Sequence, residues 1–170
     1  AGEPLVVTDV QVPIPKHDEV LVRVKAAGIN HRDLLISKGK YVNLKYPIVL
    51  GSDGSGIIVQ IGKSVKNIVV GDEVVINPAI NWGTDQRFPG KEFKILGLPD
   101  NGTFAQYVVV PETSIFRKPE HLSFEQAAGI PLSGLTGYRA LVTRGQVKAA
   151  QKVLITGIGG AVAQMMLQFA

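Results

Sequence analysis

Residues 153–170 read VLITGIGGAVAQMMLQFA, an apolar run followed by a glycine cluster and the opening turns of a helix. Lys152–Thr156 (KVLIT) has the character of a strand buried on both faces of a parallel sheet. Gly157, Gly159 and Gly160 then form the turn. Glycines there permit a sharp reversal and let an anion approach backbone amides, whose partial positive charge at a helix start favours a pyrophosphate. A full G-x-G-x-x-G spacing would place glycine at 162, where the chain has Val162. The motif by itself serves a tight strand-to-helix connection as well as a phosphate cradle.

Upstream, the chain changes character. EVLVRVKAAG (19–28) alternates Val20, Val22, Val24 and Ala26 with Arg23 and Lys25, the period of a half-buried strand. GIIVQIG (56–62), DEVVI (72–76) and FAQYVVV (104–110) are further β-branched runs bounded by turn formers, which together predict an irregular antiparallel barrel. HRDLLISKG (31–39) interrupts them as a short helix that stops at Gly39. Residues 77–103 are long, turn-rich and weakly periodic, the mark of a functional or outlying loop. Beyond Pro119, Ser123 and Gln126 form a capping-box pattern, and Leu135, Tyr138, Leu141 and Val142 recur at helical spacing up to Gly145. The predicted order is a β-rich domain, two helices, and the first strand, turn and helix of an α/β domain, with the boundary near residues 120–130.

Composition limits the function. The 170 residues carry 18 basic and 14 acidic side chains, a net charge of +4 that is scattered along the chain, which argues against a nucleic-acid surface. There is no cysteine, so disulfides, cysteine-bound zinc and thiol nucleophiles are excluded. No apolar stretch approaches the roughly 20 residues of a membrane span, and no signal peptide is visible. A cytoplasmic protein without a membrane partner is expected, and a start at Ala1 leaves room for an upstream segment.

Six stretches, AAGINHRDLLISKGKY (26–41), PIVLGSDGSGIIVQIG (47–62), VGDEVVINP (70–78), LPDNGTFAQYVVVP (98–111), SFEQAAGIPLSGLTGYRAL (123–141) and the terminal 153–170, occur in an order and spacing that resembles the medium-chain dehydrogenase/reductases. Within them the chain is most similar to the zinc-independent, quinone-oxidoreductase-like branch. The resemblance implies a GroES-like β-barrel catalytic domain over residues 1–125, then connecting helices and the first strand, turn and helix of a Rossmann domain over 126–170, truncated at the chain end. It also implies a nicotinamide cofactor between the two domains, with NADP favoured over NAD by resemblance alone. The residue that separates the two lies about 20 positions beyond the glycine turn, past Ala170. A homodimer is implied for the full-length protein.

The zinc-dependent members place ligands at positions that here hold Asn30, Ser52 and Leu132, none of which is a zinc-binding residue type. The four-cysteine site of their long loop has no counterpart in 77–103. No metal is therefore expected. The implied activity is hydride transfer to or from a quinone, enone, aldehyde or other small carbonyl or alcohol. Without a Lewis acid, the developing oxyanion must meet hydrogen-bond donors or water.

Asn30 and Tyr41 are the candidate donors and His31 a candidate proton shuttle. Each has a plainer use: a turn-forming Asn at a strand end, a tyrosine covering the barrel, a surface histidine. Asp33 is expected to be structural, Arg32 solvated or paired, and Asp53 a local hydrogen-bonding group. The implied cofactor contacts are Thr136 against the nicotinamide and Gly159, Gly160, Ala161 and Val162 against the pyrophosphate; helix capping is the plainer use of Thr136. The alternative reading is a non-catalytic or truncated relative acting as a binding or scaffold protein. The isolated fragment is expected to be inactive and to bind cofactor weakly or not at all.

Overall fold

A computed structural model describes residues 5–170. Its longest strand is β1 (Glu19–Gly28), which pairs antiparallel with β6 (Tyr107–Pro111) on one side and β2 (Asp53–Ile61) on the other. β3 (Glu73–Ile76) and β7 (Ile115–Arg117) extend the sheet in the order β6-β1-β2-β3-β7. β4 (Ala79–Ile80) and β5 (Lys94–Ile95) form a separate ribbon inside the long loop.

The alternation read in β1 holds where it matters most. Val20 and Val22 are fully buried and join Ile58, Val74, Ile76, Val108 and Val110 in the main core, whereas Arg23 and Lys25 are exposed. Val24 and Ala26 are only half-buried, beside a register irregularity between Val24 and Ala26 that bends the strand pair. The strand expected from Phe104 begins instead at Tyr107, because Thr103 and Phe104 donate their amides to Gly51 and Leu50.

α1 (His31–Ser37) ends at Gly39, whose φ is 67°. It buries Ile36 with Leu50 and Leu98 in a second, smaller cluster that Tyr41 flanks. α2 (Phe124–Ala128) starts with the capping box read from sequence: Gln126 N donates to Ser123 Oγ at 3.2 Å and Ser123 N to Gln126 Oε1 at 2.9 Å. Its Ala127 and Ala128 are buried against β1 and β2.

Two expectations for the C-terminal part need correction. The helix from Ser133 to Gly145 is instead α3 (Pro131–Tyr138), followed by a π-helical turn over Arg139–Arg144. Only Leu141 of its proposed apolar face is buried; Leu135, Tyr138 and Val142 are exposed, and the close contact uses Gly137, packed on Met166 and the Val162 carbonyl of α4 (Ala161–Phe169). Small residues let two helix backbones approach, which a large apolar side chain would prevent. The buried strand expected at 152–156 is chain without regular secondary structure, with Leu154 90% exposed. A strand needs a neighbour to pair its amides, and among the described residues none lies alongside it.

The long loop is ordered around its own small core. Trp82 meets Phe93 edge to face at 5.0 Å and donates Nε1 to the Asp85 carbonyl at 3.0 Å. From the π-helical turn, the Arg139 guanidinium lies 4.2 Å from the Trp82 ring centroid and donates to the carbonyls of Gln86 and Arg87. No helix among the described residues is long and apolar enough to cross a membrane.

Candidate functional site

The site is organised by Asp53, the first residue of β2, whose carboxylate is 2% exposed. Asp53 Oδ2 accepts from Asn30 Nδ2 at 3.0 Å, and Oδ1 accepts from the Leu132 backbone amide at 2.8 Å. Leu132 is the second residue of α3, so its amide is one of those a helix start leaves without an internal acceptor. The Leu132 carbonyl in turn accepts from Thr136 Oγ1 at 2.7 Å. A continuous chain of hydrogen bonds therefore runs Asn30, Asp53, Leu132, Thr136, crossing from the β1–α1 junction to α3. It joins the two candidate residues that sequence placed in different blocks, and it contains two of the positions where zinc-dependent relatives hold ligands.

Asp33 fixes the other side of Asn30: its Oδ2 accepts the Asn30 backbone amide at 2.8 Å, and Oδ1 accepts the Gly51 amide at 3.3 Å. Burial pushes the Asp53 carboxyl up to about 6 from 3.8, with Asp33 adding to the rise while the Asn30 and Leu132 hydrogen bonds and the Arg32 charge oppose it. At neutral pH Asp53 is consequently ionised. Because the native state holds this proton more tightly than the unfolded chain, stability falls as pH rises from about 4 to about 6 and is level above it. The expected size is about 3 kcal/mol. Urea unfolding across that range should show the slope in the wild type and lose it in Asp53→Asn; parallel profiles would refute the assignment. Asp85, Glu112 and Glu125 are acids held below their ordinary values by hydrogen bonds, so they act with opposite sign at lower pH.

Arg32 departs from the expectation of a solvated or paired charge. It is 8% exposed, and no carboxylate among the described residues lies within ion-pair distance of it. Its guanidinium donates to Ser52 Oγ at 2.5 Å and to the Leu96 carbonyl at 2.7 Å, and lies 5.2 Å from the Tyr41 ring centroid. Tyr41 and Arg32 face a cavity of about 260 Å³ that Asn43, Phe93, Lys94 and Leu98 also line. His31 is exposed on the first turn of α1 and takes no part in the bonds joining Asn30, Asp53 and Leu132.

At the glycine turn, Gly157 has φ 66° and its carbonyl accepts the Gly160 amide at 2.9 Å. A methyl group at Gly159 would meet nothing within 4 Å, so the protein's own packing does not demand glycine there. The open approach suits an outside group that must come close to backbone. α4 begins at Ala161 with Gly160 as its N-cap and no side-chain cap, leaving its first amides directed at the same space. Gly159, Gly160, Ala161 and Val162 are all exposed. Gly137, the residue after Thr136, packs on Val162, Met165 and Met166 of α4, which ties α3 to the helix that follows the turn. Among the described residues, no group of three or more His, Cys, Asp or Glu is placed to hold a metal ion.

Residues 16–120 match the family model for the alcohol dehydrogenase GroES-like domain, which defines the class of the barrel. A zinc-type alcohol dehydrogenase-like protein of Schizosaccharomyces pombe is 41% identical over 157 residues, 89% of this chain and 44% of that protein. A crystal structure of an NAD-dependent alcohol dehydrogenase superposes with TM-score 0.88 at 40% identity, over 95% of this chain and 49% of that one. A quinone oxidoreductase from Coxiella burnetii superposes with TM-score 0.77 at 31% identity, over 95% and 47%. The chain belongs to the medium-chain dehydrogenase/reductase superfamily, and it spans about half the length of these relatives.

Proposed function

We propose that the complete protein is an oxidoreductase that passes hydride between a nicotinamide cofactor, NADP or NAD, and a quinone, enone, aldehyde or other small carbonyl compound without using zinc. The names of the relatives, alcohol dehydrogenases and a quinone oxidoreductase, support the reaction class. The hydrogen-bonded chain from Asn30 to Thr136 carries the zinc-free part: it occupies former ligand positions with an amide donor and a main-chain amide.

In this reading the glycine turn and the first amides of α4 hold the pyrophosphate, with Gly159, Gly160, Ala161 and Val162 as its walls. Thr136 lies against the nicotinamide, which supplies the hydride when bound. Asn30 donates to the substrate oxygen as negative charge builds on it, Tyr41 donates from the neighbouring cavity, and His31 exchanges protons with solvent at the rim. The division into a catalytic domain over 1–125 and a cofactor-binding part from 126, and a homodimer of the complete protein, belong to the same proposal.

The test is oxidation of NADPH and NADH by the complete protein on a panel of quinones, enones and aldehydes, with a metal chelator present. Turnover should survive the chelator, and Asn30→Ala should lower kcat about 100-fold. Turnover abolished by the chelator overturns the zinc-free reading; cofactor oxidation absent with every substrate favours the non-catalytic alternative.

A further inference from the structure

We propose that Asp53 is a positioning residue of the carbonyl site: it fixes which end of the Asn30 amide is presented to substrate and holds α3, with Thr136, at a set distance from it. The inference rests on the reading of Asn30 as the carbonyl donor.

The two ends of an asparagine amide are nearly the same size, and only their hydrogen-bonding sense tells them apart. An ionised carboxylate can only accept. Asp53 Oδ2, 3.0 Å from Asn30 Nδ2, therefore selects the orientation in which the amide nitrogen faces it and the amide oxygen is turned away. One N–H of that nitrogen is used by Asp53, and the other is left to meet a substrate oxygen. The Asp33 amide at the start of α1, which the Asn30 side chain faces in a capping box, favours the same orientation, and a neutral group at 53 able to donate weakens the selection, since it can bind the amide oxygen and turn the donor away.

The second carboxylate oxygen is committed as firmly. It accepts the Leu132 amide at 2.8 Å, and the Leu132 carbonyl accepts Thr136 Oγ1 at 2.7 Å. One buried carboxylate thus sets the spacing between the donor on the barrel and the threonine on α3. The backbone of Asp53 is also held, since Thr103 Oγ1 donates to its carbonyl at 2.7 Å. The charged groups around it come from α1: Asp33, which binds the Asn30 and Gly51 amides, and Arg32, which binds Ser52. α3 brings a backbone amide and no charge to the contact.

The experiment is a double-mutant cycle in the complete protein, with steady-state kinetics for Asn30→Ala, Asp53→Asn and the pair. Asp53→Asn should lower kcat 10- to 100-fold with the cofactor KM unchanged, and the double variant should be no slower than Asn30→Ala alone. Losses that multiply overturn the positioning role while leaving Asn30 as the donor. Asn30→Ala with unchanged kcat overturns the donor reading and the positioning role with it. Should Asp53→Asn fail to fold, the kcat profiles of wild type and Asn30→Ala decide. The wild type should lose activity below about pH 6, as a protonated Asp53 ceases to select the amide nitrogen, and Asn30→Ala should lack that limb. The same limb in both proteins overturns the proposal.

Discussion

Gly102→Ala is expected to leave little folded protein, with a loss of about 3 kcal/mol or more where enough survives for urea unfolding to be followed. A methyl carbon at 102 would stand 1.9 Å from the Gly51 carbonyl oxygen, 2.7 Å from the Gly97 Cα and 2.7 Å from the Leu50 carbonyl oxygen. Each of these is backbone, so no side chain can rotate aside. The segment cannot back away either: Gly102, Thr103 and Phe104 donate their amides to Val49, Gly51 and Leu50 at 2.8, 2.9 and 2.9 Å. Gly51 immediately precedes Ser52 and Asp53, so the clash is transmitted to the polar site as well as to the fold. A midpoint equal to the wild type would show that these segments are more loosely joined than the structure has them.

Arg32→Ala should cost about 3 to 4 kcal/mol. The guanidinium ties α1 to Ser52 at 2.5 Å, to the Leu96 carbonyl at 2.7 Å and to the Leu98 carbonyl at 3.5 Å, and it packs on Tyr41. Truncation to alanine empties that volume and leaves the Leu98 carbonyl without its donor. Ser52 still donates to Leu96 at 2.8 Å, which limits the loss. Arg32→Lys should recover only part of it, because an ammonium lacks the planar fork that reaches serine and carbonyl together. Thermal and urea midpoints of the three proteins check the order; an Arg32→Ala protein within about 0.5 kcal/mol of wild type would contradict it.

Local patterns in the sequence proved sufficient where the controlling interactions are themselves local. The period of β1, the Ser123–Gln126 box and the stop at Gly39 each depend on residues a few positions apart, and each is found as read. Lys152–Thr156 failed for the opposite reason: its apolar composition reports a burial that its neighbours in a sheet must provide, and no described residue provides it. The face of α3 was misread because an apolar count rewards Leu135 and Tyr138, whereas close helix packing is set by Gly137. At the site, Asn30 and Thr136 were reached through their blocks. The bond that unites them was not legible, since Asp53 and Leu132 meet across 79 positions of chain. A signal did exist in retrospect. An acid within the glycine- and serine-rich start of an otherwise apolar strand has to find partners or stay neutral, and Asp53 finds them in Asn30 and the Leu132 amide.

The clasp between Arg139 and the Trp82 loop bears on where the chain can be shortened. Arg144 donates to the same Arg87 carbonyl as Arg139, at 3.3 Å, so both ends of the π-helical turn are tethered to a loop that belongs to the barrel. The long loop and the connector through Arg144 are therefore joined by side-chain contacts at both ends of the turn. A protein trimmed after Glu125 would discard the anchor of its own loop, whereas one trimmed after Gly145 would keep that anchor and strip α4 from the face of Gly137.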